Sequence, residues 1–475
     1  MYDVKSARAE DFINDEEILD TLNYSAKHKS DAPLIKSILE KAALCKGISH
    51  REAAVLLDCD IPELNDEIKA LAKKIKLRFY GNRIVLFAPL YLSNYCINSC
   101  TYCPYHVHNK HIGRKKLTQE EIYRETIALQ DLGHKRLALE AGEDPVNNPI
   151  EYILESINTI YSVKHKNGAI RRVNVNIAAT THEEYKMLKD AGIGTYILFQ
   201  ETYNRAAYKT LHPAGPKSDY DWHTQAMDRA MEAGIDDVGI GVLFGLNLYR
   251  YDFTGLLMHA EHLEAAKGVG PHTISVPRIR AADGIDPASF PDAIDDETFA
   301  KIVAVIRIAV PYTGMIVSTR ESQNTREKIL ELGVSQISGG SRTSVGGYCE
   351  SERPGDTTQF DVSDTRSLDE VVAWLMELGY VPSFCTACYR AGRTGDRFMQ
   401  LVKSGQIANC CHPNALMTLK EYLEDYACDK TMEERKVLGE KLIECELNKI
   451  PDEKIREHAK TYIREEAFGK RDFRF

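Results

Sequence analysis

Residues 83–105 read RIVLFAPLYLSNYCINSCTYCPY. An apolar, β-rich run at 83–91 passes directly into a loop bearing Cys96, Cys100 and Cys103, spaced C-x3-C-x2-C. Three thiolates on one short loop can each hold one corner iron of a 4Fe–4S cube and leave the fourth iron open. An open iron can chelate a small molecule, which a cube with four cysteine ligands cannot do. A zinc loop is the competing reading, with His106 or His108 as fourth ligand. Position favours iron–sulfur, because the end of a strand is where a β/α barrel carries its chemistry.

Outward from this segment the same texture recurs seven times. The runs are RLALEAG (136–142), RVNVNIAA (172–179), TYILFQET (195–202), DVGIGVLFGL (237–246), HTISVPR (272–278), GMIVSTR (314–320) and QISGGSR (336–342). Amphipathic stretches such as TQEEIYRETIALQDLG and SDYDWHTQAMDRAMEAG separate them. Apolar runs without strict alternation fit parallel strands buried on both faces. Eight β/α units over roughly 260 residues match the size of a (βα)8 barrel, and a doubly wound sheet stays open as the alternative. The expected organisation is α/β. It has an N-terminal helical segment (1–80) with a break at Gly47, a TIM-type barrel (81–345), and a mostly helical iron–sulfur region (346–475) entered through the turn-rich GGYCESERPGDTTQFDVSDTRS.

Composition bounds the function. A net charge of −10 over 475 residues argues against a sequence-independent nucleic-acid binder. No apolar run reaches the ~18 residues of a membrane span. The acidic start MYDVKSARAEDFINDEEILD lacks a secretory signal, so a cytoplasmic protein with no membrane partner is expected. Twelve cysteines are too dilute for a disulfide scaffold. Seven of them fall into two tight groups, and clustered cysteines in a reducing compartment bind metals. The second group is Cys385, Cys388 and Cys411, spaced C-x2-C-x22-C and flanked by Cys410 and His412. The intervening residues could fold as one helix and turn that returns the third thiolate to the first pair. By spacing alone, a Cys3His zinc site including His412 fits this group slightly better. The presence of the first cluster tips the reading to a second iron–sulfur site.

The C-x3-C-x2-C loop, with aromatic Tyr102 before its last cysteine, resembles the signature of the radical S-adenosylmethionine (radical SAM) superfamily. The resemblance implies that the open iron binds SAM and that its reductive cleavage yields a 5′-deoxyadenosyl radical, with electrons from an external donor. Glu140-Ala141-Gly142-Glu143-Asp144-Pro145 is similar to the superfamily's GGE-type segment, with alanine in place of the first glycine, which would put Gly142 and Glu143 near the SAM amino group. Glu201, at the end of the fourth run, is implied near the ribose or methionine part of SAM.

The second cysteine group and the segment GPHTISVPR extend the resemblance, over essentially the whole chain, to the radical SAM tyrosine lyases of FeFe-hydrogenase maturation. The barrel also resembles the tyrosine lyases of thiamine synthesis, which lack the C-terminal cysteines. The implied second cofactor is an auxiliary 4Fe–4S/5Fe cluster with a labile iron, held by Cys385, Cys388, Cys411 and His272. The implied substrate is L-tyrosine. Arg320, at the end of the seventh run, could grip its carboxylate in bidentate fashion, unless it merely pairs with Glu321. Tyr91 is a further pocket candidate, and Ser341, also for SAM, and Arg342 are weaker ones.

The implied chemistry has two stages. Hydrogen abstraction from the tyrosine amino group leads to Cα–Cβ cleavage, releasing p-cresol and dehydroglycine. The dehydroglycine then crosses the barrel and becomes CO and cyanide on the labile iron, destined for hydrogenase maturation partner proteins. Three alternatives stand beside this. A thiamine-type lyase would stop at dehydroglycine. A zinc-stabilised radical SAM RNA-modifying enzyme should carry a basic domain. A non-catalytic iron–sulfur carrier would need neither a pocket nor Arg320.

Overall fold

The run at 83–91 becomes the first strand of a closed parallel ring. A computed structural model describes residues 1–349, 357–426 and 430–475. Cys428 and part of the turn-rich connection lie outside the described residues. The strands are β1 (Arg83–Ser93), β2 (Arg136–Ala141), β3 (Arg172–Asn176), β4 (Tyr196–Ile197), β5 (Val238–Gly241), β6 (Thr273–Ser275), β7 (Gly314–Val317) and β8 (Gln336–Ser338). Each pairs in parallel with its sequence neighbour. The ring closes through β1, which pairs with β8 (Val85↔Gln336) and with β2 (Ala88↔Leu137). Closure rules out the doubly wound alternative and gives the TIM-type barrel. All eight strands fall within or overlap the apolar runs. Most are shorter, because the residues at their upper ends leave the ladder to build loops.

Helices between the strands start where the sequence supplies caps. Thr118 and Glu121 form a capping box at the start of Gln119–Asp131. The stretch 218–234 is not one helix. It divides into Tyr220–Thr224 and Ala226–Glu232 at Gln225, whose ψ of 7° interrupts the helical ladder. The helix Asp296–Ala309 is buried on nearly every side, since the barrel covers one face and the N-terminal helices the other. Those helices are Ala9–Phe12, Asp15–His28, Ala32–Ala42, His50–Asp58 and Pro62–Tyr80. The predicted break at Gly47 is a close approach: φ is +84°, and a Cβ there would lie 2.7 Å from the Ala309 carbonyl oxygen. Fully buried Arg307 donates to the carbonyls of Pro311 and Thr313 and to that of Gly333, tying together two loops at the lower mouth of the barrel.

A ninth strand, β9 (Val381–Ser383), has no counterpart in the predicted elements. It adds in parallel to the first residues of β1, with Arg83↔Val381 and Val85↔Ser383. Its three residues include Pro382, which cannot donate to a ladder. β9 delivers Cys385 to the N-terminal mouth of the barrel, where Arg136 Nη2 donates to the Cys385 carbonyl at 2.8 Å. Beyond it come helices Ala387–Arg390, Gly395–Lys403 and Ala408–Tyr426. The stretch between Cys388 and Cys411 is therefore broken into short helices rather than one, and Cys411 sits in the first turn of the third.

Candidate active site and second cysteine centre

The C-terminal ends of the strands surround a cavity of about 250 Å³. Cys96, Cys100 and Cys103 line it, together with Tyr91, Tyr102, Gly142, Glu143, Glu201, Arg320 and Ser341. Arg342 does not, and its side chain is exposed. The cysteine loop is held by backbone on two sides. Ile97 N–H donates to the Glu143 carbonyl at 2.8 Å, while Ser99 and Thr101 N–H donate to the carbonyls of Ala214 and Leu211. Arg114 caps the carbonyls of Asn94, Tyr105 and His106. Gly142 is required by contact, because a Cβ there would lie 2.3 Å from the Tyr95 carbonyl oxygen.

Side chains complete the cradle. Asn98 Nδ2 donates to Glu143 Oε2 at 2.6 Å, and Asn98 Oδ1 accepts from Lys217 N–H at 2.9 Å. Lys217 Nζ pairs with Glu201 Oε1 at 2.9 Å. Glu201 holds a φ of +69°, a costly conformation for a residue with a Cβ. The Tyr102 hydroxyl donates to His212 Nε2 at 2.7 Å, since His212 Nδ1 donates to the Tyr208 carbonyl. Burial keeps that imidazole neutral, with its pKa lowered to about 3.

The donor set fits a cluster. The three cysteines form no disulfide, and burial pushes the Cys100 thiol up to about 11 and the Cys103 thiol up to about 12. Thiols raised in this way are poor nucleophiles, but metal binding deprotonates them. His108 is turned to Ser99 Oγ (3.2 Å), and neither His106 nor His108 lines the cavity. The zinc-loop reading therefore lacks its fourth ligand there.

Beyond the cysteine loop, Glu321 does not pair with Arg320. It is taken by Arg278 and Arg280. The Arg320 guanidinium stacks on Phe360 at 3.4 Å and faces the cavity. Ser341 Oγ is buried there without a partner among the described residues, an orphan that a ligand could satisfy. Tyr91 donates to Gln359 Oε1 at 2.7 Å. Gln359 and Phe360 thus bring the 357–360 segment over the cavity, and the carbonyl of Thr357 accepts from Tyr105.

A second cavity, of about 90 Å³, opens at the opposite mouth. Cys385, Cys388, Cys411 and His272 all line it. The Sγ atoms of Cys388 and Cys411 are 3.9 Å apart. The neighbouring Cys388 thiol and the guanidinium groups of Arg83 and Arg393 lower the pKa of the Cys411 thiol. His272 lies just before β6, which puts it at the lower mouth. Its Nδ1 is 3.3 Å from Asp237 Oδ1, within ion-pair reach but out of hydrogen-bond alignment. His412 is engaged elsewhere, by Glu446 (3.2 Å), and Cys410 lies beside Arg393 outside the cavity lining. The Cys3His zinc set that includes His412 is therefore not assembled. Gln336 lines both cavities.

Comparison with known proteins gives this arrangement a family. Residues 90–277 match the Radical SAM superfamily, and residues 275–381 match the Biotin and Thiamin Synthesis associated domain. The chain is 30% identical over 346 residues to 2-iminoacetate synthase of Salmonella typhimurium, covering 72% of this chain and 89% of that protein. A crystal structure of HydG, a maturase of the [FeFe]-hydrogenase, is 56% identical, covers 98% of this chain and 100% of its own, and superposes with a TM-score of 0.94. The protein belongs to the HydG family of radical SAM enzymes. HydG from Carboxydothermus hydrogenoformans is similar at 39% identity and a TM-score of 0.82, covering 96% of this chain and 99% of that one. As a HydG-family enzyme, the chain uses SAM and a 4Fe–4S cluster. No helix among the described residues is long and apolar enough to cross a membrane.

Sequence reading missed Asn98, Lys217, His212 and Asp237. The signal for Lys217 lay in LHPAGPKS (211–218), where Gly215 has a φ of +96° and a Cβ would meet Asn98 Oδ1 at 2.4 Å.

Proposed function

We propose that the protein is a tyrosine lyase. It cleaves the Cα–Cβ bond of L-tyrosine to p-cresol and dehydroglycine, and converts the latter to CO and cyanide for assembly of the FeFe-hydrogenase active site. The observation that carries this is one barrel with a three-cysteine cavity at each mouth, the upper lined by Arg320 and the lower by His272. When bound, the SAM-loaded cluster supplies a 5′-deoxyadenosyl radical and the auxiliary 4Fe–4S/5Fe cluster supplies a labile iron.

The chain's own residues do the rest. Cys96, Cys100 and Cys103 hold the first cluster, and Cys385, Cys388, Cys411 and His272 the second. Tyr102, Gly142, Glu143 and Glu201 cradle SAM. Arg320 binds the tyrosine carboxylate, with Tyr91 and Ser341 bordering it, and the 357–360 segment keeps water from reactive intermediates. The barrel axis, with Gln336 on both cavities, is the route for dehydroglycine. On this reading, residues 1–80 are a helical support, 81–345 the catalytic barrel and 346–475 the auxiliary-cluster region. An electron donor feeds the first cluster, and maturation partner proteins receive the product.

The similarity to 2-iminoacetate synthase supports a second reading, a lyase that stops at dehydroglycine. The lower cavity favours the longer sequence. The test is anaerobic: measure iron and sulfide, add SAM, tyrosine and reductant, and assay each product. Two clusters' worth of iron with p-cresol, 5′-deoxyadenosine, CO and cyanide is expected. Dehydroglycine accumulating without CO or cyanide would leave the shorter reading.

A further inference from the structure

Glu140 is the third acidic side chain of the upper cavity, and neither the cluster nor the SAM cradle uses it. It is the penultimate residue of β2, registered against Tyr91 of β1 on one side and Asn176 of β3 on the other. All three line the cavity in one layer of the barrel interior, and Arg320, three residues beyond β7, lines the same space. Glu140 and Arg320 sense each other's charge without forming an ion pair. A cation and an anion set apart across a cavity match the two charged groups of an α-amino acid, whose ammonium sits one carbon from its carboxylate.

Chemistry gives the pairing a purpose. A hydrogen atom leaves nitrogen readily only when a lone pair remains to stabilise the radical, and an ammonium group has none. Bound tyrosine must therefore lose a proton before it loses a hydrogen atom. Resting on the tyrosine reading above, we propose that Glu140 is the catalytic base of the pocket: its carboxylate pairs with the substrate's ammonium group and takes one proton from it. The balance starts from the Glu140 carboxylic acid and the substrate ammonium. It ends with the Glu140 carboxylic acid hydrogen-bonded to the neutral substrate amine, and one proton released to solvent. The released proton is Glu140's own, and the proton from nitrogen replaces it.

The surroundings suit this role. Burial pushes the Glu140 carboxyl up to about 8, against the opposing charge of Arg320 and a hydrogen bond from Asn176. A base raised this far can hold the proton of an amine at neutral pH. Among the described residues, the other titratable or charged groups facing it are Tyr91 of β1, Tyr105 of the cysteine loop and Arg320 of the loop after β7. Burial keeps both phenols protonated. Glu201 faces Arg320 from β4's upper end and is neutralised by Lys217.

The test uses the anaerobic, cluster-loaded, SAM-bound enzyme and titration calorimetry at pH 6.5 in buffers of different ionisation enthalpy. L-Tyrosine should bind with release of close to one proton, and 3-(4-hydroxyphenyl)propanoate, which lacks the amine, with essentially none. At pH 8.5 the wild type should prefer tyrosine to this analogue by tenfold or more. Glu140→Gln, isosteric and checked by its melting temperature and cluster absorbance, should reduce that preference to less than threefold. Tyrosine binding without proton release, or an undiminished preference in Glu140→Gln, overturns the assignment of Glu140 alone. Failure of tyrosine to bind overturns the tyrosine reading itself, and this inference with it.

Discussion

Arg320→Ala removes the cation that the tyrosine reading needs most. In the structure the guanidinium is held by stacking on Phe360 and, among the described residues, by no carboxylate, because Glu321 belongs to Arg278 and Arg280. Its removal therefore breaks no ion pair among the described residues. Losing one partner of a dry, charge-assisted pair costs ~2–5 kcal/mol of binding. At about 1.4 kcal/mol per decade, that is roughly a 30-fold to few-thousand-fold rise in the tyrosine concentration required. Arg320→Lys keeps the charge but loses the planar fork, so it should fall between wild type and alanine. The assay is p-cresol formation against tyrosine concentration, with SAM affinity measured separately by equilibrium binding. SAM affinity should change little, since the cysteine loop and Glu143 stand on other elements. An unaltered tyrosine dependence in Arg320→Ala would refute the reasoning.

Replacing Cys96, Cys100 or Cys103 by Ala should abolish both 5′-deoxyadenosine and p-cresol, and SAM cleavage surviving in any of them would remove that loop from the chemistry. Gly142→Ala should lower the melting temperature and weaken SAM binding, because its Cβ meets the Tyr95 carbonyl at 2.3 Å and such overpacking costs ~1–3 kcal/mol; unchanged melting and SAM affinity would contradict the contact. His272→Ala should leave p-cresol release intact and lower the yield of CO and cyanide, a milder defect than loss of a cysteine at the same cavity. Glu466 is fully buried and burial raises its carboxyl from 4.5 to about 9. The folded state thus binds one proton more than the unfolded state between those values, and wild-type stability should fall as pH rises by up to ~1.4 kcal/mol per unit. The melting temperature of Glu466→Gln should therefore gain on wild type steadily from pH 5 to pH 9, and a constant gap would show that the carboxyl does not titrate this way.

The eight barrel strands were legible because parallel strands buried on both faces read as apolar runs, whatever their exact ends. β9 was not, since three residues with a central proline carry no pattern. That one omission hid where the second cysteine group sits, because only β9's pairing with the start of β1 carries Cys385 to the lower mouth. The cysteine loop was legible because its ligands are local. Lys217 and Asn98 meet only after the ring has closed and the Gly215 turn has come down on the loop, which no local pattern encodes. Spacing alone put His412 in the second group, and only the fold shows that Glu446, a residue distant in sequence, holds it away from the three cysteines. Arg320 was legible by position at the end of a strand, but its freedom from Glu321 depends on Arg278 and Arg280 reaching across from the loop after β6.

The central claim is a division of labour between two cysteine centres at opposite mouths of one barrel. It is tested most directly by a Cys385→Ala, Cys388→Ala double variant given SAM, reductant and isotope-labelled tyrosine, with infrared bands of iron-bound CO and cyanide recorded alongside p-cresol. The account predicts largely normal p-cresol and 5′-deoxyadenosine and no labelled CO or cyanide bands. Normal amounts of those bands from the double variant would contradict it, and would make the lower centre a structural element of the fold.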